Sequence, residues 1–111
     1  MGQADGQTKV FLIGEARRWY ECEGKRSRLL PSILRSFEEL ATNMFSGTQI
    51  PKYLIPHIYR QRHDVRNLWK INLAGGWRLI YTLRTMEEGA EGCYILEIMD
   101  HKTYEWRFGY G

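Results

Sequence analysis

The first half of the chain has apolar spacings that predict one strand followed by two helices. Residues 8–13 (TKVFLI) are rich in β-forming side chains and are bounded by glycines, which is typical of a short strand. Residues 15–23 predict a short helix that begins with a glutamate and stops at a glycine. Between residues 28 and 45, apolar side chains recur every three or four positions, the spacing of an amphipathic helix with Pro31 in its first turn.

From residue 67 onward the apolar period changes from helical to alternating, which predicts three strands. They cover residues 68–74, 77–84 and 92–100, and the acidic, glycine-containing stretch 86–92 (MEEGAEG) predicts an exposed hairpin loop. Residues 51–63, which two prolines interrupt, predict a surface loop or a short helical turn. The predicted order is β-α-α-β-β-β, an α+β fold.

The hairpin between the first two of these strands carries cations among large apolar residues, and its register decides where they lie. A two-residue turn would mix charged and apolar side chains on both faces, whereas a three-residue turn, with glycine in the left-handed conformation, separates them. The apolar face would then contain Trp69, Ile71, Leu73, Trp77, Leu79, Tyr81 and Leu83. The other face would contain Lys70, Asn72, Arg78, Ile80, Thr82 and Arg84. We therefore expect the apolar face to pack against the long helix and the other face to be open, presenting its cations to solvent.

Length and composition indicate a single globular domain. The 111 residues suffice for one compact domain (1–111), of which residues 1–7 are expected to be flexible. No apolar run approaches the roughly 20 residues that span a bilayer, and the polar start lacks a secretory apolar segment, so we expect a cytoplasmic protein with no membrane partner. Cys22 and Cys93 have no CxxC spacing, which predicts reduced, buried thiols and no metal site.

The net charge of +3 is unevenly distributed along the chain. Residues 1–24 carry a net charge of −1 and residues 85–111 carry −4, whereas residues 25–84 carry eleven basic and three acidic side chains, a net charge of +8. This basic middle favours a polyanionic partner, although a solvated basic surface would give the same count. Its loop segment contains His57, Arg60, Arg62, His63 and Arg66. Contact with RNA phosphates and simple solvation are both open for these side chains.

The C-terminal stretch brings proton-transfer groups together directly after the last predicted strand. It reads DHKTYEWRFGY (residues 100–110) and contains His101, Lys102 and Tyr104. A ribonuclease that uses the 2′-hydroxyl of its substrate needs a base for that proton, a cation for the charge that develops at the phosphate and an acid for the leaving 5′-oxygen, and it requires no metal. The aromatic residues of the tail alternate, which predicts an extended segment that seals the edge of the sheet. These residues are Trp106, Phe108 and Tyr110.

The segments NLWKINLAGGWRLIYTL (67–83) and HKTYEWRFGY (101–110) together resemble the RelE/ParE superfamily of toxins from type II toxin–antitoxin systems, most closely its RelE-like members. The resemblance covers roughly residues 28–110. It implies an antiparallel-rich, twisted sheet with two N-terminal helices packed on one face. It also implies an mRNA interferase, a ribosome-dependent endoribonuclease that cleaves messenger RNA in the A site by attack of the 2′-hydroxyl. Such an enzyme needs no cofactor, and a cognate antitoxin protein holds it inactive.

The resemblance also implies roles for single residues. Arg78 matches the strand arginine that holds the scissile phosphate, and Lys70 matches a substrate-anchoring lysine on the preceding strand. His101 or Tyr104 is the expected general base, and for His101 a role in capping or orienting the tail is equally open. A structural reading is also open for Arg78, which could form an ion pair with an acidic residue of the last strand. The candidates for that pair are Glu97 and Asp100.

Further basic residues have expected roles in the same reaction. Lys102 or Arg107 would replace the C-terminal arginine that acts as the acid in some RelE-like toxins. The residues expected to bind RNA are Lys70, Asn72, Arg84, Lys102, Arg60, Arg62 and Arg66.

Two other functions are open from the sequence. A ParE-like poison of DNA gyrase would share the fold and cleave nothing, so it would not need His101 and Tyr104. A non-toxic relative would use the basic face only to bind RNA or an antitoxin-like partner.

Overall fold

The computed structural model describes residues 8–109, so the expected flexibility of residues 1–7 and the position of Tyr110 lie outside the described residues. Within that range the chain is an α+β protein with four α-helices and one five-stranded mixed sheet. The helices are α1 (Gly14–Cys22), α2 (Leu30–Thr42), α3 (His57–His63) and α4 (His101–Phe108). The strands are β1 (Lys9–Leu12), β2 (Thr48–Gln49), β3 (Trp69–Asn72), β4 (Arg78–Thr85) and β5 (Glu91–Met99). None of the helices between residues 8 and 109 is long and apolar enough to cross a membrane.

The strands lie in the order β1-β5-β4-β3-β2. The first strand runs parallel to β5, and the other three neighbouring pairs are antiparallel. The predicted order β-α-α-β-β-β was therefore incomplete, because it lacked the short edge strand β2 and the last helix, and left α3 as an open alternative. The segment 51–63 was also predicted to lie on the surface, yet Ile55 and Tyr59 are buried in it.

The register of the β3–β4 hairpin is the predicted one, with a three-residue turn. Trp69 lies opposite Tyr81, and the Leu73 N–H donates to the Trp77 carbonyl at 2.8 Å. Two turn residues adopt positive φ, Gly75 at 67° and Gly76 at 81°, which glycine tolerates without the clash of a side chain. The apolar face of the hairpin packs against the long helix α2, as predicted, and also against α1. That core contains Ile71, Leu73, Leu79 and Tyr81 of the sheet with Ala16, Ile33 and Leu40 of α1 and α2.

The opposite face of the sheet is not open, contrary to the prediction. A second core covers its middle, where Ile80 and Met99 of the sheet meet the aromatic residues of α3 and α4. Those aromatic residues are Tyr59, Tyr104 and Phe108. The alternation of β4 gave the correct face for each side chain, but it could not show that two further helices pack there. The cations Arg78 and Arg84 are left at the two ends of β4.

The C-terminal segment is a helix, not the predicted extended segment. The Asp100 side chain accepts a hydrogen bond from the Thr103 N–H at 2.8 Å, which caps the start of α4, and Gly109 ends it at a φ of 73°. Trp106 is 80% exposed and Phe108 is buried, so neither seals a sheet edge, and the edges are β1 and β2. The prediction of two buried thiols was half right, because Cys93 is buried and Cys22 is exposed.

The fifth strand contains a β-bulge near its middle. Ile80 lies opposite Glu97, but the next residue, Tyr81, lies opposite Ile95, so Leu96 is the extra residue on β5. Leu96 belongs to the second core, and Glu97 contacts α3 and α4 on the same face. The bulge therefore directs two consecutive side chains to one face of the sheet.

Candidate functional site

Lys70 and Arg78 lie together over the ring of Tyr104. The Lys70 Nζ is 5.7 Å and the Arg78 Cζ is 5.0 Å from the ring centroid, within the range of cation–π contacts. Lys70 lies in β3, Arg78 begins β4 and Tyr104 lies on the buried side of α4. The antiparallel register places the two cations on one face, and α4 brings the aromatic ring beneath them. Residues from both predicted motifs therefore meet at one place.

The electrostatics of this cation pair suit an anion. Burial, followed by the charge of Arg78, lowers the pKa of Lys70. Among residues 8–109, neither cation forms an ion pair, so the expected alternatives of Glu97 or Asp100 as partners of Arg78 are wrong. An anion between the two cations would supply the countercharge that the described residues do not.

The hydrogen bonds that Arg78 makes within the described residues come from its Nη1. Its Nη1 donates to the Gly76 carbonyl at 2.6 Å and more weakly to the Trp77 carbonyl at 3.4 Å. Its Nε is buried and has no hydrogen-bond partner within the described residues. A buried donor without a partner is costly. Beside it, the Lys70 Nζ makes a long hydrogen bond of 3.4 Å to the Asn72 Oδ1, so the predicted Asn72 belongs to the same group.

His101 begins α4 next to the hairpin turn. A methyl group added to Gly76 would lie 3.2 Å from the His101 Cβ, and the Gly76 carbonyl also accepts from Arg78. The His101 Nε2 lies 2.9 Å from the Glu105 Oε2, one helical turn away, and the His101 side chain is 54% exposed. The sequence prediction missed Glu105 because an i, i+4 pair has meaning only in a helix. Lys102, next along α4, is exposed.

Arg84 lies far from this group, at the other end of β4. Arg78 pairs with Met99 and Arg84 pairs with Gly92, and six residues of strand span roughly 20 Å. Arg84 donates to the His63 carbonyl and lies over the Tyr94 ring at 5.7 Å. It borders a groove of about 420 Å³ that is also lined by Asp64, Arg66, Asn67, Leu83 and Thr85. The predicted RNA-binding residues Arg66 and Arg84 therefore form a separate basic region.

The remaining predicted RNA contacts lie on α3 and are exposed. Arg60 donates to the Lys52 carbonyl at 2.9 Å, and Arg62 lies 3.5 Å from the Glu15 carboxylate. Burial, followed by the charge of Arg84, lowers the pKa of His63. The contacts of Arg60 and Arg62 leave the outer surfaces of both side chains accessible to a polyanion.

Arg107 is not free to act as an acid at the cation pair. Its Nη1 lies 2.5 Å from the Glu97 Oε1 and donates to the Tyr59 hydroxyl at 3.2 Å. The Tyr59 hydroxyl also donates to the same Glu97 oxygen at 2.5 Å. Arg107 and Glu97 are 17% and 13% exposed, and Tyr59 is 2% exposed. The sequence prediction did not foresee this cluster, because the bulge in β5 sets the direction of Glu97.

Residues 8–109 contain no group of three or more His, Cys, Asp or Glu side chains that could hold a metal ion.

Comparisons of the chain with protein-family models, curated proteins and solved structures find no significant match. Its function is therefore judged by the chemistry of its own residues.

Proposed function

We propose that the chain is a RelE-like toxin of a type II toxin–antitoxin system, a cytoplasmic endoribonuclease that cleaves messenger RNA on the ribosome. The observation that supports this proposal is the meeting of Lys70 and Arg78 over Tyr104, next to His101. The resemblance in sequence named these four residues from two separate segments. Their closeness is what a phosphate-cleaving site would require.

The cation pair would bind the scissile phosphate. Lys70 and Arg78 lack an anionic partner among the described residues, and Arg78 retains a buried donor without a hydrogen bond. A phosphate there would accept hydrogen bonds from the guanidinium and would offset the burial and the repulsion from Arg78 that lower the pKa of Lys70. Because negative charge grows on the phosphate oxygens in the transition state, both cations would bind the transition state more strongly than they bind the ground state.

His101 is the better placed of the two candidate bases. It is half exposed and adjoins the turn that holds Arg78, whereas Tyr104 is 3% exposed beneath the cations. When the His101 Nε2–H donates to Glu105, Nδ1 carries the lone pair that can accept the 2′-hydroxyl proton. The 2′-oxygen then forms a bond to phosphorus and the bond to the 5′-oxygen breaks, which leaves a 2′,3′-cyclic phosphate and a 5′-hydroxyl. Lys102, exposed on the same turn of α4, is the remaining candidate for the proton donor to the 5′-oxygen.

The test is cleavage of a defined message on programmed ribosomes by the purified chain, with Arg78→Ala and His101→Ala. We expect the intact chain to cut within the A-site codon. Loss of a transition-state donor costs about 10²–10³ in rate, so Arg78→Ala should lose that much. Arg28→Ala is the matched control, because Arg28 is an exposed arginine outside this site, and it should cleave normally.

Absence of cleavage by the intact chain would refute the endoribonuclease. If expression nevertheless arrested growth, and the double variant of Arg78 and His101 did the same, a ParE-like gyrase poison would be favoured, and inhibition of supercoiling would be assayed next. Tolerance of strong expression would favour the non-toxic relative. A cognate antitoxin would be sought as a protein that relieves growth arrest.

A further inference from the structure

A polar cluster of three residues joins three separate elements beneath the C-terminal helix. Tyr59 of α3 and Arg107 of α4 both bond to the same carboxylate oxygen of Glu97 in β5, each at 2.5 Å. The Tyr59 hydroxyl also accepts from Arg107 at 3.2 Å, and the Arg107 Cζ lies 5.8 Å from the Tyr59 ring centroid. Each member of this cluster, which we call the α4 clamp, contacts both of the others.

Burial makes the α4 clamp intolerant of partial disruption. Burial, followed by the charge of Glu97, raises the pKa of Tyr59, so its hydroxyl keeps the proton that it donates. Burial acts to lower the pKa of Arg107, but Glu97 and Tyr59 outweigh it and raise the pKa. Tyr59 and Arg107 are therefore held in the protonation states that their hydrogen bonds need. Removal of one charge would leave the other buried without compensation, whereas apolar side chains in place of both can preserve the fold.

A chain of contacts leads from the α4 clamp to the cation pair. The Tyr59 ring lies 5.8 Å from the Phe108 ring, and the Phe108 ring stacks on Tyr104 at 4.6 Å. Tyr104 is the residue over which Lys70 and Arg78 lie. Asp100 holds the start of α4 through its cap, and the α4 clamp holds the other end together with the buried Phe108 beside it.

We propose that Tyr59, Glu97 and Arg107 are positioning residues that fix α4 so that Tyr104 and His101 stand beside Lys70 and Arg78. Their part would be to hold α4 in place, without contact with substrate. In catalytic terms this inference rests on the proposed endoribonuclease. The inference also states that the α4 clamp controls the contact between Tyr104 and the two cations. That statement can be tested without measuring activity.

The test uses the double variant Glu97→Leu/Arg107→Met, which removes both charges and avoids an uncompensated one. Tyr59→Phe is the milder variant, because it keeps the ion pair and the ring contacts and removes one hydroxyl. The matched control is Glu21→Leu/Lys25→Met, which removes an exposed ion pair of 2.9 Å between α1 and the turn that follows it. For each, NMR would measure the contacts of the Tyr104 ring with the Arg78 and Lys70 side chains, and single-turnover cleavage and ribosome affinity would be measured separately.

We expect the folded Glu97→Leu/Arg107→Met variant to show weakened or absent contacts between the Tyr104 ring and both cations. Tyr59→Phe should weaken these contacts less. A misplacement of about 1 Å costs on the order of 10²-fold in rate, so cleavage should fall by about ten- to a hundredfold while ribosome affinity changes by less than about twofold. The control should retain both contacts and rate. Unchanged Tyr104 contacts in the folded clamp variant would overturn the inference. If the intact chain cleaves no RNA, the proposed function fails, and the NMR contacts still decide the positioning role.

Discussion

Replacement of Tyr81 by phenylalanine removes one hydroxyl that holds the backbone between α2 and β2. This hydroxyl donates to the Met44 carbonyl at 2.9 Å and accepts from the Gly47 N–H at 3.1 Å. Gly47 itself fits closely, because a methyl group on it would lie 2.6 Å from the Lys70 carbonyl oxygen. The hydroxyl therefore fixes the segment between α2 and β2, which lies against β3, the strand that carries Lys70. Burial raises the pKa of Tyr81, so the hydroxyl remains a donor at any pH used in the assay.

The expected loss of stability follows from the two backbone groups left without partners. A buried polar group that loses its hydrogen bond costs about 1–3 kcal/mol, and because Met44 and Gly47 are only half buried we expect about 2–3 kcal/mol for both together. In a domain of this size, 1 kcal/mol corresponds to a shift in Tm of roughly 4–5 °C. Tyr81→Phe should therefore lower Tm by about 8–15 °C.

Thermal and urea denaturation of the intact chain and the variant would measure this loss, and hydrogen exchange of the Gly47 amide would locate it. Tyr53→Phe is the matched control, because Tyr53 is 85% exposed and its loss of a hydroxyl should change stability by no more than about 0.5 kcal/mol. If Tyr81→Phe were as stable as this control, water would be replacing the hydroxyl. The reasoning from its two hydrogen bonds would then be wrong.

Three further perturbations test other parts of the structure. Gly76→Ala should destabilise the chain more than Gly89→Ala in urea denaturation, because both glycines have positive φ but only a methyl group on Gly76 would meet His101, at 3.2 Å; equal losses would dismiss that contact. Burial raises the pKa of the Cys93 thiol to about 12 from an ordinary value of 9.0, so the unfolded state loses this proton first as pH rises. The unfolding free energy should fall from about pH 9 upward by at most about 1.4 kcal/mol per pH unit, and Cys93→Ala should flatten the curve between about pH 9 and 10. Arg84→Ala should lower the slope of log affinity for single-stranded RNA against log salt by about 0.7, the value for one phosphate contact, and an unchanged slope would exclude that contact.

The faces of the hairpin could be predicted from the sequence because only one register separates charge from apolar surface. The three-residue turn followed from that separation, and it is the turn that the structure has. The same reasoning correctly placed Lys70 and Arg78 on one face. It could not place Tyr104 beneath them, because that contact depends on a helix packing from a distant part of the chain.

Two features were not predicted, for different physical reasons. In the C-terminal segment the alternating aromatics outweighed the signals of helix ends, although Asp100 and Gly109 offered both a cap and a stop. The bulge at Leu96 breaks the period of two on which every strand prediction depends, so the direction of Glu97 could not be read from its position. For that reason the α4 clamp could not be predicted from the sequence.

The parallel pairing of the first strand with the fifth sets the order in which the fold can close. Lys9 lies opposite Gly92 and Leu12 opposite Ile95, so β1 is synthesised well before the strand with which it pairs. The C-terminal helix emerges later still, because a chain leaves the ribosome N-terminus first. Lys70 and Arg78 acquire the ring of Tyr104 only after that helix is free. During synthesis the site of Lys70, Arg78 and Tyr104 therefore stays incomplete until α4 has left the ribosome.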